Sequence, residues 1–394
     1  MDFRFTEEEE AFHKEVQDFL DQEMPRDWFM DMYYDGGSEE FHQFGLKMRR
    51  KLAAKGWIGL SWPKEYGGQG TPLMKQAILE EELIYRGAPF YYIETGMVGP
   101  LILQFGNEEQ KKRFLPPITH GEVTWCIGMS EPNAGSDLAA LETRAEEKEN
   151  CFVLNGQKTW QSETHHADWS MVYARTDPNA PKKHRGISCF LVDLKSPGIT
   201  TRFIKDMSDS IPLNEVFYDN VKVPKENLLG GLNGGWNVAL ASIASDRTLG
   251  LSLILVAKRD LELLVQYCQE THVNGQPLAK DPVLRNRLAQ MAIEIEAGRN
   301  LGYKLNWMIN KGMLVIVEGS QIRVLGGYIA LHLASLGMQI LGLYGQLDEK
   351  SKWARLSGRM KTNYLRAAAM VMFGGSTEVS KNTIASFGLG LPRG

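Results

Sequence analysis

The hydrophobic period changes twice along this 394-residue chain, and that double change limits the folds open to it. Up to about Thr124 the apolar residues recur at helical spacing, as in Phe12, Val16, Phe19 and Leu20, and again in Phe41, Phe44, Met48 and Leu52. Thr6 with Glu9 three residues on forms a capping box that predicts a helix from Glu7, and Gly56 supplies a left-handed stop. Asn107 to Phe114 reads as a further helix ending before Pro116-Pro117. From Thr124 to Leu229 the pattern becomes that of short strands. Phe152–Leu154 and Thr159-Trp160 flank Asn155-Gly156, a hairpin signal. Met171–Tyr173, Ile187–Val192, Ile199–Ile204 and Glu215–Val223 follow. After the connector GGLNGGW (Gly230 to Trp236) the helical period returns. Leu284, Leu288, Met291 and Ile295 continue as Gly298, Gly302, Leu305 and Ile309 on one seam, where the glycines admit a neighbouring helix closely. The expected fold is α+β: an N-terminal helical domain (1–122), a small middle β-barrel or sandwich domain (123–230) and a C-terminal four-helix bundle (231–394).

Bulk properties narrow the function classes. Hydrophobic content of 43% and charged content of 23% are those of an ordinary globular protein. A net charge of -4 argues against a nucleic-acid partner. Cys126, Cys151, Cys189 and Cys268 are scattered, with no paired zinc spacing, and read as thiols of a reducing compartment. The acidic opening MDFRFTEEEE predicts neither a secretory signal nor an Arg-rich transit peptide. The longest apolar run, Leu249 to Ala257, is too short to span a membrane. A cytoplasmic location is the expectation.

The stretch MSEPNAGSD, Met129 to Asp137, lies where the helical pattern yields to strands. It gathers Ser130, Ser136 and the pair Ala134-Gly135 in one polar turn, the chemistry that a phosphate or a heteroaromatic cofactor needs, although polar glycine turns are commonly only turns. The Gly230 to Trp236 cluster lacks dinucleotide or Walker spacing and reads as an inter-domain turn. His165-His166 has no third ligand at metal spacing, so no metal is expected. Lys182 to Arg185 reads as a hairpin tip, with the phosphates of a ligand as its alternative partner.

Several separated stretches together resemble the acyl-CoA dehydrogenase family of flavoproteins. They are WPKEYGGQG, MSEPNAGSD, NGQKTWQSE (Asn155 to Glu163), RGISCFLVD, VFYDNVKVPKENLLG, QILGLYG (Gln339 to Gly345) and the tail FGGSTEVSKNTIASFGLGLPR. The resemblance implies an α-β-α subunit that binds FAD and oxidises an acyl-CoA to its 2,3-enoyl-CoA. It sets Ile127, Met129 and Ser130 along the pyrimidine side of the flavin and Ser136 beside a phosphate of FAD or CoA. Trp160 would cover the ring and Ser162 would reach toward N5. Gln339, Gly342, Ser376 and Glu378 would hold the adenosine half of FAD, partly across a subunit interface. Implied partners are the acyl-CoA, a separate electron-transfer flavoprotein, and further subunits in a homo- or hetero-oligomer (dimer or tetramer).

The chain departs from the family pattern at the base. The Glu of the C-terminal EGT-type motif is Gly374 here, and the alternative position, a Glu before an Arg, reads Asp246-Arg247. Asp246 is the expected base, one methylene shorter than Glu, with Glu94 in YYIETG as the alternative. Ser136, Arg247, Glu94 and Gly374 are the expected substrate contacts. A pyrophosphate-binding Arg is replaced by Thr271, and Leu343 stands where a second Gly is usual. These losses are similar to those of bacterial α2β2 enzymes acting on sterol side-chain thioesters, and imply a bulky substrate. Two competing readings follow: a non-catalytic partner subunit that completes a neighbour's FAD site, and a variant passing electrons to O₂.

Overall fold

The computed structural model describes residues 4–31, 38–89, 93–209, 213–246, 249–372 and 374–392. Helices α1 (Glu7–Glu23), α2 (Glu39–Ala54), α3 (Leu73–Arg86), α4 (Gly99–Phe105) and α5 (Glu108–Thr119) come first. The strands follow as β1 (Trp125–Gly128), β2 (Arg144–Glu147), β3 (Cys151–Ser162), β4 (Trp169–Arg175), β5 (Ile187–Asp193), β6 (Ile199–Ile204), β7 (Leu213–Pro224) and β8 (Leu228–Leu229). Helices α6 (Gly235–Asp246), α7 (Leu249–Glu270), α8 (Pro282–Asn310), α9 (Ile316–Leu341), α10 (Arg359–Met370) and α11 (Thr377–Thr383) close the chain. Two compact units result: Met1–Tyr34, Pro72–Ala88 and Arg247–Gly394 form one, and Asp35–Thr71 with Pro89–Asp246 the other.

In the first unit α1 begins where its capping box predicts, the Thr6 hydroxyl accepting the Glu9 N–H and the Glu9 carboxylate accepting the Thr6 N–H. Helices α7, α8, α9 and α10 share a core that includes Ile254, Leu264, Ile295, Leu305, Ile329 and Met360. The glycine seam does what its spacing implies. A Cβ on Gly298 would lie 2.7 Å from Ile254 and one on Gly302 2.6 Å from Leu251, so α7 packs directly on the α8 backbone. Among the described residues α9 is the helix long and apolar enough to cross a membrane, with a mean hydropathy of 1.5. It displaces Leu249 to Ala257 as the longest apolar run. Half of that window is buried inside the protein, as in a core helix.

The second unit is built on a mixed sheet of order β6-β7-β3-β2-β4-β5-β8, with β1 parallel to β4. Among the described residues β6 and β8 do not pair, so the sheet stays open and the barrel expected for this region is not formed. Its buried face carries Phe152, Leu154, Val172, Phe190, Val216 and Val223.

Two local expectations are corrected here. Asn155-Gly156 does not turn; it lies inside the single strand β3, which pairs with β7 on both sides of a register shift at Leu154/Gly156. Gly156 is required by close approach instead, since a Cβ there would lie 2.5 Å from the Thr143 hydroxyl. Helix α5 also runs through Pro116 and Pro117 to Thr119. The carbonyls left without a donor belong to the exposed residues Lys112 and Arg113, which can turn to water, while the Pro116 and Pro117 carbonyls accept from His120 and Glu122.

Candidate active site

Strand β1 delivers the chain into the turn Met129–Asp137. Glu131 and Ala134 close that turn by exchanging backbone hydrogen bonds of 3.0 and 3.1 Å. Beneath it lies an ion pair that the motif reading missed. Lys158 on β3 is fully buried, and its Nζ donates to Glu131 Oε1 at 2.8 Å and to the Met129 carbonyl at 3.0 Å. The same carboxylate accepts the N–H groups of Glu142 at 2.5 Å and Thr143 at 2.9 Å. Burial pushes the Lys158 ammonium down to about 8. Burial would raise the Glu131 carboxyl, but Lys158 and the backbone donors hold it below its ordinary value.

The next residues of β3 turn outward. A second register shift against β7, between Lys158 and Gln161, breaks the strand's alternation. Trp160 takes φ 59°, a left-handed conformation costing a side chain about 1 kcal/mol, and leaves its indole 58% exposed. Gln161 returns inward, donating to Ser170 Oγ at 3.0 Å, and Ser162 is half-buried at the strand end. An exposed tryptophan held by strained backbone beside a polar turn is a surface built for something flat.

The backbone of the turn fits the acceptor edge of such a ring. Thr159 N–H donates to the Ser130 carbonyl at 2.9 Å, and the Met129 carbonyl is taken by Lys158. Among the described residues no peptide bond is cis, so the Ser130 N–H points opposite to the Met129 carbonyl, away from Lys158. Among the described residues no group within the chain accepts that N–H. At exposed Gly135 a Cβ would meet nothing within 4 Å, leaving room beside the backbone for a ligand. The structure thus ties Met129 and Ser130 to Lys158 and Thr159, the β3 residues just before Trp160, while Ser136 is exposed at the far end of the turn.

Other predicted residues lie in the first unit, on two packed helices, α9 and α11. Gln339 is exposed near the end of α9 and accepts from Arg287 at 2.5 Å; Gly342 ends that helix with φ 56°. Ser376 caps α11, accepting the Val379 N–H, and Glu378 is exposed in its first turn. Gly374 has φ 65°, a backbone that favours glycine. Asp246 is the last residue of α6, and Arg247 lies outside the described residues.

Glu94 sits in a π-helical turn, Ile93–Val98, and is 3% exposed. Its carboxylate accepts the Trp125 N–H at 3.0 Å and faces Arg49 Nη2 at 3.4 Å. Burial raises this carboxyl; Arg49 and the Trp125 N–H oppose the rise. These contacts tie it to the start of β1.

The absence of a third ligand near His165-His166 is also corrected. Ligand atoms of Glu163, His165 and His166 lie within 4.8 Å of one another, and His166 stacks on His42 with centroids 3.6 Å apart. The Asn214 amide, which donates to the Gln161 carbonyl, also faces His165 Nδ1 at 3.3 Å.

Three family models match the chain in order: "Acyl-CoA dehydrogenase, N-terminal domain" over residues 6–122, "middle domain" over 126–221 and "C-terminal domain" over 233–389. The chain belongs to the acyl-CoA dehydrogenase family. It is similar to acyl-CoA dehydrogenase IpdE1 of Mycobacterium tuberculosis, 34% identical over 352 residues and 87% of each protein. IpdE1 of Mycolicibacterium smegmatis is 32% identical over 98% of each. Among solved structures, the Tcur3481-Tcur3483 steroid ACAD matches with a TM-score of 0.91, 30% identity and full coverage of both chains. This acyl-CoA dehydrogenase is accordingly an FAD-dependent oxidoreductase acting on the CH–CH bond of an acyl-CoA, and a member of a family that works as oligomers.

Proposed function

We propose that this acyl-CoA dehydrogenase oxidises a bulky acyl-CoA of the sterol side-chain class, with Asp246 as the base. The observation that carries the reading is Gly374. Its φ of 65° and missing side chain leave no base at that position and free the volume a glutamate would fill. Likeness to a solved steroid ACAD supports a substrate of steroid type.

FAD, when bound, supplies the acceptor for the β-hydrogen and its electron pair. The chain's own part is to remove the α-proton and to hold the ring. Asp246, the last described residue of α6, supplies the carboxylate that takes the α-proton. Ser130, Trp160 and Ser162 hold a flavin ring and Ser136 a phosphate; Gln339, Gly342, Ser376 and Glu378 hold an adenosine half, partly across a subunit interface. Glu94, tied to Trp125 N–H and Arg49, acts as a wall of the acyl cavity. Exposed apolar side chains in the first unit, among them Leu314 at 80%, Phe387 at 58% and Leu389 at 70%, suit contacts between subunits. A separate electron-transfer flavoprotein is the acceptor, and the cytoplasm the location.

The test is anaerobic mixing of the FAD-loaded protein with a sterol side-chain acyl-CoA or a short straight-chain one. Bleaching of the flavin band should be faster with the bulky thioester, and Asp246→Ala should slow it by roughly a thousandfold with flavin still bound. Bleaching of that variant at the native rate would remove Asp246 as base. An FAD-loaded native protein that no acyl-CoA bleaches would instead be a non-catalytic partner subunit.

A further inference from the structure

We propose that the buried Lys158–Glu131 pair is a positioning device for the flavin, setting which way the Ser130 N–H and the Trp160 indole face. The inference rests on the reading of Met129–Ser162 as the flavin cradle and assigns roles to two residues that neither the motif nor the family match singles out.

The geometry supports a role beyond stability. A buried ion pair is seldom worth more than a neutral, well-packed replacement, because both charges lose their water. Here both partners are nearly sealed, with side-chain exposures of 0% and 6%. What the pair does is link three segments, 129–131, 142–143 and the β3 strand at Lys158, through side chains. Nζ of Lys158 holds the Met129 carbonyl at 3.0 Å, and Glu131 holds the N–H groups of Glu142 and Thr143. Drawing the Met129 carbonyl inward forces the trans peptide to turn the Ser130 N–H outward. The neighbouring Thr159 N–H fixes the Ser130 carbonyl at 2.9 Å. Two residues beyond Lys158 the strand breaks register and Trp160 emerges with φ 59°. Gly128 keeps the channel for the lysine stem, since a Cβ there would lie 3.3 Å from Lys158 Cγ and 2.8 Å from Gln161 Oε1. Burial lowers the ammonium's value, and Glu131 at 2.8 Å opposes that fall.

Without the pair the Met129–Ser130 peptide can rotate. The site then loses a fixed donor, and Trp160 loses its anchor two residues upstream, while the sheet keeps its β3–β7 ladder. The full-length protein should be compared with Lys158→Met and with the charge-free double variant Lys158→Met/Glu131→Gln, each stripped of flavin and titrated with FAD. The double variant is expected to unfold within about 2 °C of the native apoprotein yet bind FAD at least tenfold more weakly, with a shifted visible flavin spectrum. A folded double variant with native affinity and native spectrum overturns the inference. So does failure of both variants to fold, which would make the pair a stability element. If the native protein itself takes up no FAD, the reading of the cradle fails and this inference with it. Loss confined to the variants cannot be confused with that outcome.

Discussion

Arg359 offers the sharpest test of how the first unit is held together. Arg359 is 6% exposed, and its guanidinium binds two chain segments at once. Nε donates to Asp260 at 2.5 Å, Nη1 to the Phe29 carbonyl at 2.6 Å, and Nη2 to Asp31. Asn363 donates to the other Asp260 oxygen at 2.6 Å. Burial raises the Asp260 carboxyl while Arg359 opposes the rise, and the two carboxylates drive the Arg359 value upward. Arg359→Met would leave the buried Asp260 carboxylate without that cation. It can escape by binding a proton, which at pH 7.5 costs an acid of ordinary value near 3.9 about 5 kcal/mol, at about 1.4 kcal/mol per pH unit. Breaking a buried pair costs about 3–5 kcal/mol, so a loss of about 4–5 kcal/mol at pH 7.5 is expected. In the variant the folded Asp260 carboxyl holds a proton that the unfolded chain releases, so stability rises as pH falls through its raised value. At pH 5.5 the protonation cost is about 2 kcal/mol, and the gap to the native protein should shrink by about 3 kcal/mol. Urea unfolding followed by tryptophan fluorescence at both pH values measures it. A variant as stable as the native protein at pH 7.5, or a gap independent of pH, would refute the reasoning.

Two further variants carry expected outcomes. Glu94→Gln keeps an oxygen for the Trp125 N–H and should change stability by less than about 1 kcal/mol at pH 7.5. Because burial raises the native carboxyl, native stability should fall as pH rises through that raised value; the variant should lack this slope in thermal melts from pH 5 to 8. Its flavin should still bleach, and a folded, loaded Glu94→Gln that does not would make Glu94 a reacting group. Gly326→Ala would place a Cβ 2.3 Å from the Gly250 carbonyl, forcing α9 from α7, and should cost about 3 kcal/mol by chemical denaturation.

How much of this was legible in the residues depends on the range of the force involved. Thr6 and Glu9 satisfy each other within one turn, so the start of α1 could be read directly. The Gly298–Gly302 spacing already implied a helix at close quarters. Asn155-Gly156 misled because its turn preference is local, whereas the β3–β7 ladder that overrides it joins residues about sixty positions apart. Residues of the cradle were visible only through the ordered set of family motifs; none of them has an unusual composition of its own. The Lys158–Glu131 pair left a signal that alternation could have caught. Phe152, Leu154 and Lys158 share one parity of β3, and the first two face inward, so a lysine of that parity demands a buried carboxylate. Trp160 has the same parity and the opposite orientation. Only the bulge between Lys158 and Gln161 reverses it, and a bulge is fixed by the partner strand and by what anchors each side of it. The anchor on the near side is the buried lysine. The orientation of the exposed indole thus depends on a charge that never reaches the surface.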